Sequence, residues 1–108
     1  MTHKYKIYDE SVWIRFIYFN KDIELRLFDD KRKLLQIGDT IIFKYKGQRI
    51  KRKVVGLLYA KHFLDIVRTH GLERCGMSVF NYDTLMAKYY SKEDEERLGV
   101  VGILLEAV

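Results

Sequence analysis

The stretch Lys21-Asp22-Ile23-Glu24-Leu25-Arg26-Leu27, followed by the charged loop Asp29-Asp30-Lys31-Arg32-Lys33 and then by Ile37-Gly38-Asp39-Thr40-Ile41-Ile42-Phe43, decides how this chain reads. Glu24 and Arg26 alternate with Ile23, Leu25 and Leu27, so residues 22–27 are expected to form a strand with one charged and one apolar face. Lys21 has the opposite parity. It joins Glu24 and Arg26 only if it still belongs to the preceding turn, where its side chain can swing inward. Gly38-Asp39 punctuates the entry to a second strand, Thr40 to Lys46, rich in β-branched and aromatic residues. Lys46-Gly47-Gln48 reads as a turn into a long third strand, Arg49 to Tyr59, bent at Gly56, where a missing side chain permits a bulge.

Outside this core the signals are shorter. Residues 11–20 hold a nearly continuous apolar run from Val12 to Phe19 that fits neither a helix stripe nor a strand alternation cleanly. Asp9 and Ser11 are caps if it is a helix, with Asn20 taking a left-handed exit. Phe63, Leu64, Ile66 and Val67 recur at helix spacing within residues 61–70, and Gly71 ends that element. Cys75 to Ser78 is a loop, Asn81 caps a helix running through Tyr89, and Ser91-Lys92-Glu93-Asp94 resembles a capping box that starts an acidic helix. Val100 to Leu105 closes the sheet as an apolar strand.

The order of these segments resembles the ASCH family, a branch of the PUA-like small β-barrels: a Lys-x-x-Glu-x-Arg strand at Lys21, Glu24 and Arg26, a Gly-Asp turn at Gly38-Asp39, a second strand, then a late helix, an aromatic beside a turn at Tyr89-Tyr90-Ser91 and a closing apolar strand. The likeness covers nearly the whole chain and is to small stand-alone archaeal and bacterial ASCH proteins. It implies an α+β fold, a small PUA-like mixed β-barrel with flanking helices, and favours a helix for residues 11–20. It also implies that the positions of Lys21, Glu24 and Arg26 line a cleft between barrel and helices that receives a ligand. Relatives that hydrolyse acetylated cytidine use a Lys, a Thr and a Glu. Here Glu24 stands at the Thr position, a carboxylate does not replace that hydroxyl as nucleophile, and Glu73 is only near the third position.

At 108 residues, residues 1–108 make a single domain. A composition 48% hydrophobic and 14% aromatic supplies a core, which excludes a disordered chain. One cysteine, Cys75, excludes an internal disulfide and any Cys-x-x-Cys site, and reads as a buried thiol. No run is long enough to span a bilayer and the first residues lack an apolar signal core, so a cytoplasmic protein with no membrane contact is expected.

Charge is unevenly placed. Residues 1–54 hold 14 Lys/Arg against 7 Asp/Glu, whereas residues 55–108 hold 6 against 8, so the excess of cations belongs to the first half. Lys44-Tyr-Lys46-Gly-Gln-Arg49-Ile-Lys51-Arg-Lys53 holds six basic residues and no acidic one, with Arg49, Lys51 and Lys53 on one strand face. Such a ribbon suits a phosphate backbone, and Lys31, Arg32 and Lys33 extend it if their loop folds beside it. Tyr89 and Tyr90 offer stacking surfaces for an unpaired base, with Tyr90 expected near the cleft.

Metal and nucleotide-hydrolysis chemistry is not written here. His62 and His70 stand eight apart, about 12 Å along a helix, without companion ligands, and there is no Gly-rich phosphate loop, so neither a metal nor a cofactor is expected. The expected function is RNA binding, with Lys21, Glu24 and Arg26 reading a base or nucleotide-like ligand and the cations Lys31, Arg32, Lys33, Lys44, Lys46, Arg49, Lys51 and Lys53 holding phosphates. Two alternatives stand beside it. One is a hydrolase acting on a modified nucleoside or on RNA, with Lys21 and Glu24 as an acid/base pair, which requires burial to lower the lysine's pKa by several units. The other is a protein-interaction module of the translation or transcription machinery.

Overall fold

A computed structural model describes residues 1–19 and 21–108. The elements run β1 (Thr2–Lys6), α1 (Glu10–Tyr18), β2 (Ile23–Leu27), a 3₁₀ turn (Arg32–Leu34), β3 (Thr40–Tyr45), β4 (Gln48–Ala60), α2 (Phe63–His70), α3 (Tyr82–Tyr89), α4 (Lys92–Leu98) and β5 (Val100–Ala107). The five strands form one curled sheet in the order β1-β3-β4-β5-β2, with β1 parallel to β3 and every other pair antiparallel. The class is therefore α+β, a small mixed half-barrel with flanking helices. No helix among the described residues is long and apolar enough to cross a membrane.

Local chemistry explains the elements. The apolar run after Asp9 is a helix, with Asp9 as its N-cap accepting from the Ser11 amide at 3.0 Å. The expected exit at Asn20 lies outside the described residues. Lys46 and Gly47 both have positive φ, 43° and 82°, which is the two-residue hairpin geometry that matches strand twist. The register of β4 against β5 slips between Val54 and Gly56, so Val55 is the extra residue and the bend falls one position before the glycine. Asn81 precedes α3 but does not cap it with its side chain. Instead Asn81 Oδ1 accepts from the Ser78 amide at 2.8 Å, holding the loop that enters the helix. Ser91 does cap α4, accepting from the Asp94 amide at 3.0 Å.

The strand β1 has no assignment from the sequence, because its outward positions are Thr2, Lys4 and Lys6 and only His3 and Tyr5 face inward. Its place is set by β3, and one carboxylate fastens the joint. Asp39 takes the N-terminal ammonium at 3.1 Å, His3 Nε2 at 2.8 Å and the Gln36 amide at 3.0 Å. These partners, the His3 hydrogen bond foremost, hold the Asp39 carboxyl down at about 2.

The sheet buries both faces, but not evenly. Inside the curl, Tyr5, Trp13, Phe16, Phe43, Val101 and Ile103 form one cluster around α1. On the other face, α2, α3 and the 72–77 loop cover β5 and β2 through Ile23, Leu25, Phe63, Ile66, Met77 and Leu85. This double burial is why β5 reads as an unbroken apolar run. The outer face of β1, β3 and the first half of β4 is left bare.

Candidate functional site

Lys21 stands just before β2, where the backbone has not yet entered the strand's alternation, and its side chain turns inward to join Glu24. Both are buried, 6% and 5% exposed. Lys21 Nζ lies 3.1 Å from Glu24 Oε1, 2.7 Å from the Ile23 carbonyl and 2.8 Å from the Cys75 carbonyl, so three acceptors meet the three N–H groups of an ammonium. Glu24 Oε2 takes Arg26 Nε at 2.9 Å and Nη2 at 2.8 Å. Burial alone would raise the Glu24 carboxyl, but Lys21 and then Arg26 outweigh it and hold the group below the usual carboxylate range. Burial likewise works against the Arg26 cation, and Glu24 again prevails and raises it.

Arg26 also closes the sheet. β1 and β2 are the two ends of the strand order, and at this seam Arg26 Nη2 donates to the Lys6 carbonyl at 2.9 Å while Lys31 Nζ donates to the Lys4 carbonyl at 2.9 Å. Side chains thus replace a ladder. The loop 31–33 folds beside β1 and not beside the β3–β4 hairpin. Arg32 pairs with Asp29 at 3.1 Å and lies 4.5 Å over the Tyr5 ring, Lys31 sits 4.9 Å from the same ring, and Lys33 faces Phe28 and Asp30. Lys31 and Arg32 are chiefly seam residues, whereas Lys33 is open to solvent.

Beside the triad lies a cleft of about 180 Å³ between β1, β2, α1 and α3. Its walls include Val12, Leu25, Met77, Leu85 and Met86, and its polar edge holds Lys6, Asp9, Lys21, Glu24 and Arg26. Arg26 Nη1 makes no hydrogen bond among the described residues. Tyr90 lines the cleft as expected, but its ring packs on Phe63 at 4.9 Å and its hydroxyl donates to the Leu25 carbonyl at 3.1 Å. Burial pushes that hydroxyl up to about 12. Tyr90 is a wall held in place, and the rings at the mouth are Tyr8 and Tyr89. Cys75 is buried, and burial pushes its thiol up, so it is a poor nucleophile.

The basic residues of the hairpin share a face with β1. The register places Lys6 beside Lys44 and Lys44 opposite Arg49, Lys4 beside Ile42 and Ile42 opposite Lys51, and Thr40 opposite Lys53. His3, Tyr5, Ile41 and Phe43 point into the curl, so Lys4, Lys6, Lys44, Arg49, Lys51 and Lys53 all point out. None of the six makes an ion pair among the described residues, and the nearest carboxylate by register is Glu106, opposite Lys53. Lys46 sits at the hairpin tip over the Tyr45 ring. Arg52 points the other way, with one N–H donating to the Phe16 carbonyl at 3.4 Å. Lys4 and Lys6 escape sequence reasoning because a strand had to be recognised before its lysines could be placed. Tyr8 escapes it because its ring partner, Tyr89, lies far along the chain.

The histidines occupy three separate settings: His3 on Asp39, His62 before α2 against Glu95 and His70 at the other end of α2.

No protein-family model matches the chain, and no curated protein matches it. Among solved structures it is similar to the crystal structure of hypothetical protein PH0355, with 29% identity over 100% of both chains and a TM-score of 0.83. It is also similar to the solution NMR structure of protein PF0455 from Pyrococcus furiosus, with 28% identity over 98% of this chain and 96% of that one and a TM-score of 0.75. The likeness runs end to end, so the curled sheet and its helices are shared as one unit.

Proposed function

We propose that this chain is a cytoplasmic RNA-binding module of the ASCH-like kind, holding phosphates on its bare sheet face and receiving a base or similar polar group in the cleft. The observation that carries the reading is the register that gathers Lys4, Lys6, Lys44, Arg49, Lys51 and Lys53 on one uncovered face without ion-pair partners. A bare sheet face usually needs a cover, and alternate cations on β1 and β4 with Lys44 of β3 between them suit a polyanion better than a protein core. The ASCH resemblance and the cleft beside Lys21, Glu24 and Arg26 support the second half of the reading.

Hydrolysis in the same cleft draws no support from the triad. All three Lys21 N–H groups are engaged, and the Glu24 carboxyl is held below its usual range by Lys21 and Arg26, so the lysine has no free proton to give and the carboxylate is a weak base. The array is a fixed field of charge.

The test is binding of labelled RNA at two salt concentrations by Lys51→Glu and Lys4→Glu, with Lys92→Glu on α4 as control. Contacts to about four phosphates give a slope of log affinity against log salt near −3 for a single strand. Lys51→Glu and Lys4→Glu weaken binding and flatten the slope, and Lys92→Glu leaves both alone. Salt-independent binding, or equal effects of all three, overturns the reading. Tight capture of a protein with no response to RNA favours the interaction-module alternative.

A further inference from the structure

Tyr8 and Tyr89 belong to neither hydrophobic cluster, and yet they are held together. Tyr8 is 69% exposed and Tyr89 36%, with ring centroids 6.3 Å apart and planes 31° from parallel. Rigid elements position both. The Ile7 amide donates to the Lys44 carbonyl at 2.9 Å, carrying the sheet to the residue before Tyr8, and Asp9 just after it caps α1. Tyr89 ends α3, and its hydroxyl donates to Asp9 Oδ2 at 3.3 Å. Both rings stand at the rim of the cleft.

A line of cations leads to this pair. Arg49, Lys44 and Lys6 are neighbours across β4, β3 and β1, so at about 4.8 Å between strands they form a row about 10 Å long, perpendicular to the strands. Lys6 is the last of the row, lines the cleft, and is two residues from Tyr8.

Resting on the proposed RNA binding, we infer that the nucleic acid taken up is single-stranded: its backbone crosses the row Arg49, Lys44, Lys6, one unpaired base stacks on the exposed face of the Tyr8–Tyr89 pair, and the cleft receives a single ring. Three features favour a single strand over a duplex. Exposed aromatic faces amid cations stack bases of any sequence, and a duplex presents no free base faces to them. Unpaired, splayed bases are also what protein side chains read in RNA. The cleft, at about 180 Å³, is close to the volume of about 150 Å³ that accepts one benzene, so it admits one unpaired ring and no base pair.

The experiment measures binding of four fluorescent probes to the full chain: a short oligouridine, a short oligoadenosine, a duplex of the same length and an abasic ribose-phosphate polymer of the same charge. Both single strands are expected to bind tenfold or more tighter than the duplex and the abasic polymer. Tyr8→Ala with Tyr89→Ala removes about tenfold or more of single-strand affinity, since stacking of a base is worth that much, and leaves the salt slope unchanged. Tyr8→Phe with Tyr89→Phe keeps the rings and retains the affinity, which a merely structural role of the hydroxyl on Asp9 would not allow. Melting curves of both double variants establish that they fold. If the duplex or the abasic polymer binds as tightly as the single strands, or the alanine variant binds like the parent, the inference is overturned while RNA binding by the basic face stands. If no probe binds at either salt concentration, both fall.

Discussion

Replacing Glu24 by Gln tests whether the buried triad holds the fold by mutual pairing. Lys21 and Glu24 are both nearly sealed from solvent, and removing one member of a buried pair leaves the other charge uncompensated, at about 3–5 kcal/mol. For a domain of this size each kcal/mol moves the melting temperature by about 4–8 °C, so Glu24→Gln is expected to melt at least about 12 °C lower at neutral pH. Lys21→Met costs a similar amount, because the Ile23 and Cys75 carbonyls lose their donor. The two losses are not additive, since the lysine's main counter-charge is already gone in Glu24→Gln. The double variant falls short of the sum by about 1.5 kcal/mol or more. Acid adds a second reading. Glu24 is held below its ordinary value of 4.5, so its contribution is complete above that pH and fades as pH falls through the lower folded value. Glu24→Gln should lack that part of the acid loss. The assay is urea unfolding followed by circular dichroism, at neutral and acid pH, on the four members of the cycle. Additivity within about 0.5 kcal/mol, or single losses below about 1 kcal/mol as for exposed pairs, refutes the reasoning.

Gly76 has φ +77°, and a Cβ there would overlap Lys21 Cδ and fall 3.1 Å from its Cγ, whereas Gly71 at φ +90° has nothing within 4 Å. Gly71→Ala should therefore cost only the penalty of its glycine-favouring backbone, about 1–3 kcal/mol, and Gly76→Ala clearly more because it also dislodges the lysine; equal melting temperatures would mean that Lys21 moves aside freely. Asp39 is held at about 2 against an ordinary 3.8, so the joint it makes is intact above about pH 4 and is lost as pH falls toward 2. His3→Leu removes the largest cause of that shift, and its acid unfolding midpoint moves to higher pH; an unmoved midpoint in an acid titration by tryptophan fluorescence would put the anchor elsewhere.

The central sheet was legible because its strands advertise themselves twice, by alternation and by turn residues. Glu24 and Arg26 against Ile23 and Leu25, Gly38-Asp39, and Lys46-Gly47 give β2, β3 and β4 almost to the residue. The closing strand β5 shows no alternation but is bounded by Gly99 and covered on both faces, so an unbroken apolar run was the right signal. β1 was not legible, since a five-residue edge strand whose outward positions are Thr2, Lys4 and Lys6 looks like a solvated tail until β3, nearly forty residues away, supplies the pairing. The site divided along the same line. The partnership of Lys21 with Glu24 depended on where the strand begins, a question of one residue that parity cannot answer. Lys31 and Arg32 read as free cations from their neighbours in sequence, and only the seam shows one donating to a strand edge and the other lying on an aromatic ring.

On the proposed reading, the seam also ties stability to binding. β1 and β2 exchange no backbone hydrogen bonds, and the gap between them is bridged by Arg26 on the Lys6 carbonyl and Lys31 on the Lys4 carbonyl. Arg26 is at once the clasp, the partner of Glu24 and a wall of the cleft. A ligand that had to take Arg26 away from these partners would open the half-barrel as it bound. Nη1 would relieve the conflict, because it makes no hydrogen bond to Glu24 or Lys6, and a ligand acceptor that reached it would leave the clasp in place. Binding should then tighten the seam, stabilising the fold by an amount that grows with ligand concentration over its dissociation constant. It should also slow amide exchange along β1 most of all, since that edge has the fewest other ties to β2.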